Sequence, residues 1–133
     1  MNRRQEREQA FILVFEKAFS KELDMQTIFE MAEESGILVP SDFAKKLSFI
    51  VDENLEEIDG EVQAVSIGWN TDRMSKVALA IIRIAVAEMK YMDKIPVSVS
   101  INEAVELTKI YASTEDASFV NGVLGTIARK KEE

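Results

Sequence analysis

The spacing of apolar residues is what most constrains this chain. Phe43, Leu47, Ile50, Val51, Leu55 and Ile58 recur at intervals of three and four. That is one stripe of a helix, whose side chains return to the same face every 3.6 residues; a strand would alternate every two. The same rhythm in Ala10, Leu13 and Val14 predicts a first helix over about 3–20. Asp24 reads as the N-cap of a second, carrying Ile28, Met31 and Ala32 and stopped by Gly36 in a left-handed turn. Pro40-Ser41 opens the 43–58 helix, which Gly60 is expected to interrupt before Val62, Val65 and Trp69. A polar turn, Asn70-Thr71-Asp72, then leads to 77–92, where Ala80, Ile81, Ile84 and Ala85 make more than one face apolar. This is the expected central helix. Pro96 ends it, Val97-Ser98-Val99 reads as an extended connector, and Ser100 with Glu103 reads as a reciprocal capping box. After a turn at Ser113-Thr114-Glu115-Asp116, the residues Phe119, Val120, Val123, Leu124 and Ile127 mark the last helix. The expectation is an all-α fold: a compact helical bundle of six to seven helices, with residues 1–133 forming one domain.

Two absences narrow the chemistry. The chain has no cysteine, hence no disulfide or thiolate metal site, and no histidine, hence no histidine triad or imidazole metal ligand. No carboxylate spacing singles out an acid–base pair. The sequence therefore predicts no catalytic residue, no metal, no cofactor and no enzyme. No apolar run approaches the roughly 18 residues of a membrane span. The charged opening, Met1 to Arg7, is unlike a secretory leader, so a cytoplasmic protein is expected.

The formal net charge of −8 argues at first against a nucleic-acid partner. Its distribution reverses that. Residues 1–7 set Arg3, Arg4 and Arg7 against Glu6, and residues 126–133 set Arg129, Lys130 and Lys131 against Glu132 and Glu133, which leaves residues 8–125 at −11. An anionic ligand must meet the chain ends. Cations at a helix N-terminus oppose the macrodipole by a few tenths of a kcal/mol. Phosphate contact by arginine's planar fork gives the cluster a purpose, although a solvated first turn would look the same. Arg83, inside the most apolar helix, either snorkels or pairs with Glu88 or Glu103. Gly122 is read chiefly as a close-packing glycine. The run Asp52, Glu53, Glu56, Glu57, Asp59, Glu61 is read as a solvated face, or else one that meets a basic partner.

Four segments, in order, resemble the NusB transcription antitermination family. They are Arg3-Arg4…Arg7-Glu8-Gln9-Ala10…Phe15; Trp69-Asn70-Thr71-Asp72-Arg73 with Ile81 to Glu88; Ile95-Pro96-Val97 with Ile101-Asn102-Glu103-Ala104-Val105-Glu106-Leu107-Thr108-Lys109; and Phe119-Val120-Asn121-Gly122-Val123-Leu124. The resemblance implies two small helical sub-bundles and binding of single-stranded boxA RNA in nascent ribosomal RNA transcripts. It also implies the ribosomal protein NusE as partner, within a complex of other Nus factors and RNA polymerase, and leaves monomer and homodimer both open. On this reading Arg3, Arg4 and Arg7 contact phosphates, Phe15 or Phe119 stacks on a base, and Asn121 adds polar readout. All three arginines are expected to be exposed and dispensable for folding. The rival reading is a protein-interaction adaptor whose acidic surface binds a basic partner and whose RNA affinity is incidental.

Overall fold

The computed structural model describes residues 1–36, 41–66 and 74–132, and the readings at Pro40, Trp69, Arg73 and the 70–72 turn lie outside them. The described residues form seven helices and no strand: α1 (Arg3–Phe19), α2 (Met25–Ser35), α3 (Asp42–Glu53), α4 (Leu55–Val65), α5 (Lys76–Tyr91), α6 (Val97–Tyr111) and α7 (Thr114–Glu132). Local chemistry sets most of the boundaries. The Asp24 carboxylate accepts from the Thr27 amide at 2.8 Å, and Gly36 closes α2 at φ 71°, a left-handed conformation costly for a residue with a Cβ.

Three boundaries differ from the sequence reading. The 43–65 stretch breaks at Asn54, whose side-chain amide donates to the Ile50 carbonyl at 2.8 Å, while Gly60 lies inside α4. The stripe could not show this, because its apolar phase runs on through the break. Helix α6 starts one turn early, capped by Pro96, so Val97 to Val99 are helical and Ser100 with Glu103 form no capping box. Proline's fixed φ suits a helix entry as well as it suits an extended connector. Helix α7 likewise begins within the expected turn, where the Ser113 hydroxyl caps the Asp116 amide at 3.0 Å.

The architecture follows from α5. Every residue from Ala78 to Met89 except Arg83 is buried, Ile81, Ile84 and Ala85 included. Helices α1, α3, α4, α6 and α7 all pack on it. A second, smaller apolar cluster of Leu13, Met25, Ile28 and Phe29 seats α2 against α1 and α3. The C-terminal turn of α5 is also a meeting point. Arg7 of α1 and Ser100 of α6 both donate to Glu88, and Lys131 of α7 donates to the Met89 carbonyl. The two basic ends of the chain thus arrive at the same end of the central helix.

Candidate nucleic-acid interface

The opening of α1 is built by a capping box at a place where none was expected. The Asn2 side chain accepts from the Gln5 amide, and the Gln5 side chain accepts from the Asn2 amide, each at 2.9 Å. This satisfies donors that a helix N-terminus otherwise leaves open, and fixes Arg3 and Arg4 at the first two helical positions.

The three arginines then diverge. Arg7 shares the phase of Ala10, Phe11 and Val14, the buried face of α1, and is only 6% exposed. Its Nε donates to both oxygens of Glu88, at 3.0 and 2.9 Å, and the Ser100 hydroxyl donates to Glu88 at 3.2 Å. The expectation that Arg7 is exposed and dispensable for folding is therefore corrected: its guanidinium neutralises a carboxylate sealed in the core. Arg4 lies on the outside of the same turn. Its Nε and Nη2 donate to the two carboxylate oxygens of Glu103, at 2.8 and 3.1 Å. That hydrogen bond holds the Glu103 carboxyl below its ordinary value, against partial desolvation. Arg3 takes a different partner. Its Cζ stands 3.9 Å from the centre of the Phe43 ring on α3, with a looser contact of 3.5 Å to Glu6.

The remaining candidates lie elsewhere. Phe15 is part of an aromatic ladder along α1, 5.8 Å from Phe11 and 4.9 Å from Phe19 between ring centres, and is half-buried. At about 1.5 Å per residue it is roughly 18 Å along the helix from Arg3. Phe119 lines an open groove with Val65, Ser66, Gly122, Val123 and Thr126, whereas Asn121 is exposed on another face of α7 and does not line it. Among the described residues Gly122 has no packing partner: it is exposed, and a Cβ there would meet none of them within 4 Å, so its missing side chain widens the groove instead of admitting one of the described helices. The structure thus yields three separate patches: the arginine turn, the α1 ladder and the α7 groove. At the other chain end Lys131 caps one of the last carbonyls of α5, a structural duty, while Arg129 and Lys130 remain exposed.

The acidic run is also partly internal. Asp59 binds Arg83 through two bonds of 2.8 Å, so Arg83 pairs with neither Glu88 nor Glu103. Glu57 and Glu61 both hold Lys90, at 2.8 and 3.3 Å, and the Tyr91 hydroxyl donates to Glu57. These contacts tie α4 to α5, and the Lys90 and Tyr91 hydrogen bonds lower the Glu57 pKa. Phe43, Glu88 and Glu103, the partners of the three arginines, were not singled out as such from sequence. Glu88 carried a signal, since a carboxylate in a run as apolar as 77–92 demands a cation. Arg7 carried another, in its phase.

Comparison with known proteins agrees with the all-helical fold. The profile described as the NusB family matches residues 4–129. The transcription antitermination protein NusB of Acetivibrio thermocellus is 41% identical, over 98% of this chain and 91% of the relative. Among solved structures, T. maritima NusB superimposes with a TM-score of 0.85 at 30% identity, over 97% of this chain and 92% of that one. A structure of the antitermination factors NusB and NusE in complex with dsRNA gives a TM-score of 0.83 at 26% identity, over 98% and 99% of the two chains.

Proposed function

The chain belongs to the NusB family, and on that premise we propose that it acts in the cytoplasm as a transcription antitermination factor. Its ligand is the single-stranded boxA element of nascent ribosomal RNA, bound together with NusE within the assembly of other Nus factors and RNA polymerase. The observation that carries the reading is the first turn of α1. Arg3 and Arg4 are fixed by a capping box and are the exposed members of a three-arginine cluster on a chain that is otherwise strongly acidic. Phe119, in the groove beside Gly122, supplies a second contact, the exposed Asn121 of the same helix adds polar readout, and Phe15 is a further stacking candidate. NusE docks beside this surface. A basic ribosomal protein is favoured by the net −11 of residues 8–125.

The test is a titration of fluorescently labelled boxA RNA with the protein alone and with NusE, and of a duplex of equal length. NusE is expected to raise the affinity, because two weak surfaces then share one ligand. Arg3→Ala/Arg4→Ala is expected to weaken binding and flatten its salt dependence. Equal affinities with and without NusE would put the adaptor reading ahead. Tighter binding of the duplex would replace the single-strand preference.

A further inference from the structure

Arg3 and Arg4 are neighbours in sequence, yet they are held in chemically different ways. Arg4 is gripped by an edge: Glu103 takes Nε and Nη2, which leaves the Nη1 donors for another acceptor. Arg3 is held by a face. Its Cζ lies at van der Waals distance over the Phe43 ring, 3.9 Å from the centroid, with the side chain still 53% exposed. A guanidinium is flat, delocalised and weakly hydrated, so it stacks on π surfaces through both faces. A guanidinium lying flat on the Phe43 ring presents its other face as a plane of the kind on which unpaired bases stack in single-stranded RNA, and the 53% exposure of the side chain leaves room for one. The stack on Phe43 also orders a long side chain before any ligand arrives, which lowers the entropic cost of binding.

We propose that Arg3 is a base-stacking shelf, its guanidinium sandwiched between Phe43 and one nucleobase of the bound RNA, while Arg4 takes a phosphate of the same or the adjacent nucleotide. Phe43 is then a positioning residue that acts through Arg3, and Glu103 positions Arg4. The proposal deepens the RNA-binding reading above and rests on it. It assigns a readout to a cation that charge counting alone would give to the phosphate backbone.

The experiment is a binding series in which each nucleotide of boxA RNA is made abasic in turn, measured with the wild-type protein, R3K and F43L. Lysine keeps the charge at position 3 but has no plane. In the wild type, one abasic position is expected to weaken binding about tenfold, within the usual range for loss of one stacked base. In R3K the intact RNA should bind about tenfold more weakly with an unchanged salt slope, and the penalty at that one position should vanish while those at other positions persist. F43L should reproduce the loss of that penalty in protein shown by melting to be folded. If R3K keeps the wild-type pattern of abasic penalties, Arg3 is a phosphate contact and the shelf is wrong. If the wild type fails to bind intact boxA RNA with or without NusE, the antitermination reading falls first and the shelf with it.

Discussion

Arg4 and Arg7 stand one turn apart on the same helix, and each is held by a carboxylate from another helix. The local geometry is alike: Nε to carboxylate oxygen is 2.8 Å at Glu103 and 2.9 Å at Glu88. The surroundings are not. The Arg4 and Glu103 side chains are 60% and 22% exposed, and those of Arg7 and Glu88 are 7% and 2%. In water the Coulomb attraction is screened, and such a pair opens at little cost. In the core neither charge can be left alone, because the desolvation already incurred is recovered only while both are present. One arginine is therefore available to a ligand and the other belongs to the fold. A basic cluster in a sequence should be divided by helical phase before its charges are counted as a binding site.

The sharpest way to break this contrast is to remove one buried charge. Arg7→Ala is expected to destabilise the protein by about 3–5 kcal/mol, whereas the double replacement Arg7→Met/Glu88→Leu should recover most of that loss. Thermal melts would show it, and an Arg7→Ala protein as stable as the wild type would erase the distinction. Arg4→Ala should do the opposite. It should leave the melting temperature essentially unchanged, yet reduce the slope of log K against log salt for RNA by about 0.7, the contribution of one phosphate on a single strand. The smallest effect concerns acid. The Glu103 pKa is lowered from 4.5 in the folded state, chiefly by the Arg4 hydrogen bond. Its stabilising contribution is therefore complete above the unfolded-state value and is lost as pH falls through the lower folded one. Glu103→Gln should therefore cost a little stability at neutrality, where the contribution is complete, and nothing once the wild-type carboxyl is protonated, so that stability varies slightly less with pH below about 4.5; urea unfolding at neutral and at acid pH measures it.

Much of the fold could be read from the chain. The helical period from Phe43 to Val51, the Asp24 cap, the Gly36 stop and the all-round apolarity of 77–92 each follow from interactions within a few residues, and each stands in the structure. What misled were residues with two competing local uses. Ser100 and Glu103 have the spacing of a capping box, but Pro96 starts the helix a turn earlier, freeing Ser100 for Glu88 and Glu103 for Arg4. Gly60 resembles a breaker, yet it lies within α4, and the chain turns instead at Asn54.

The candidate site was legible as a list of residues and not as an arrangement. Arg3, Arg4, Arg7, Phe15, Phe119 and Asn121 follow from chemical type and family resemblance, and the structure buries Arg7 and distributes the others over separate patches. The partners that decide what each arginine can do lie 40, 99 and 81 positions away in the chain, at Phe43, Glu103 and Glu88.

By itself the sequence determined the class of fold, the family, the identity of the buried helix and the segregation of positive charge to both ends. All of these depend on period, composition or short motifs, which are local properties of the chain. Only the tertiary structure decided which arginine is sealed in, which is stacked and which is open. It also decided that Lys131 caps α5 and that Gly122 opens a groove. The reason is dielectric and steric: a charge's availability depends on how much water and which side chains surround it, and those neighbours are brought together only when helices distant in sequence pack.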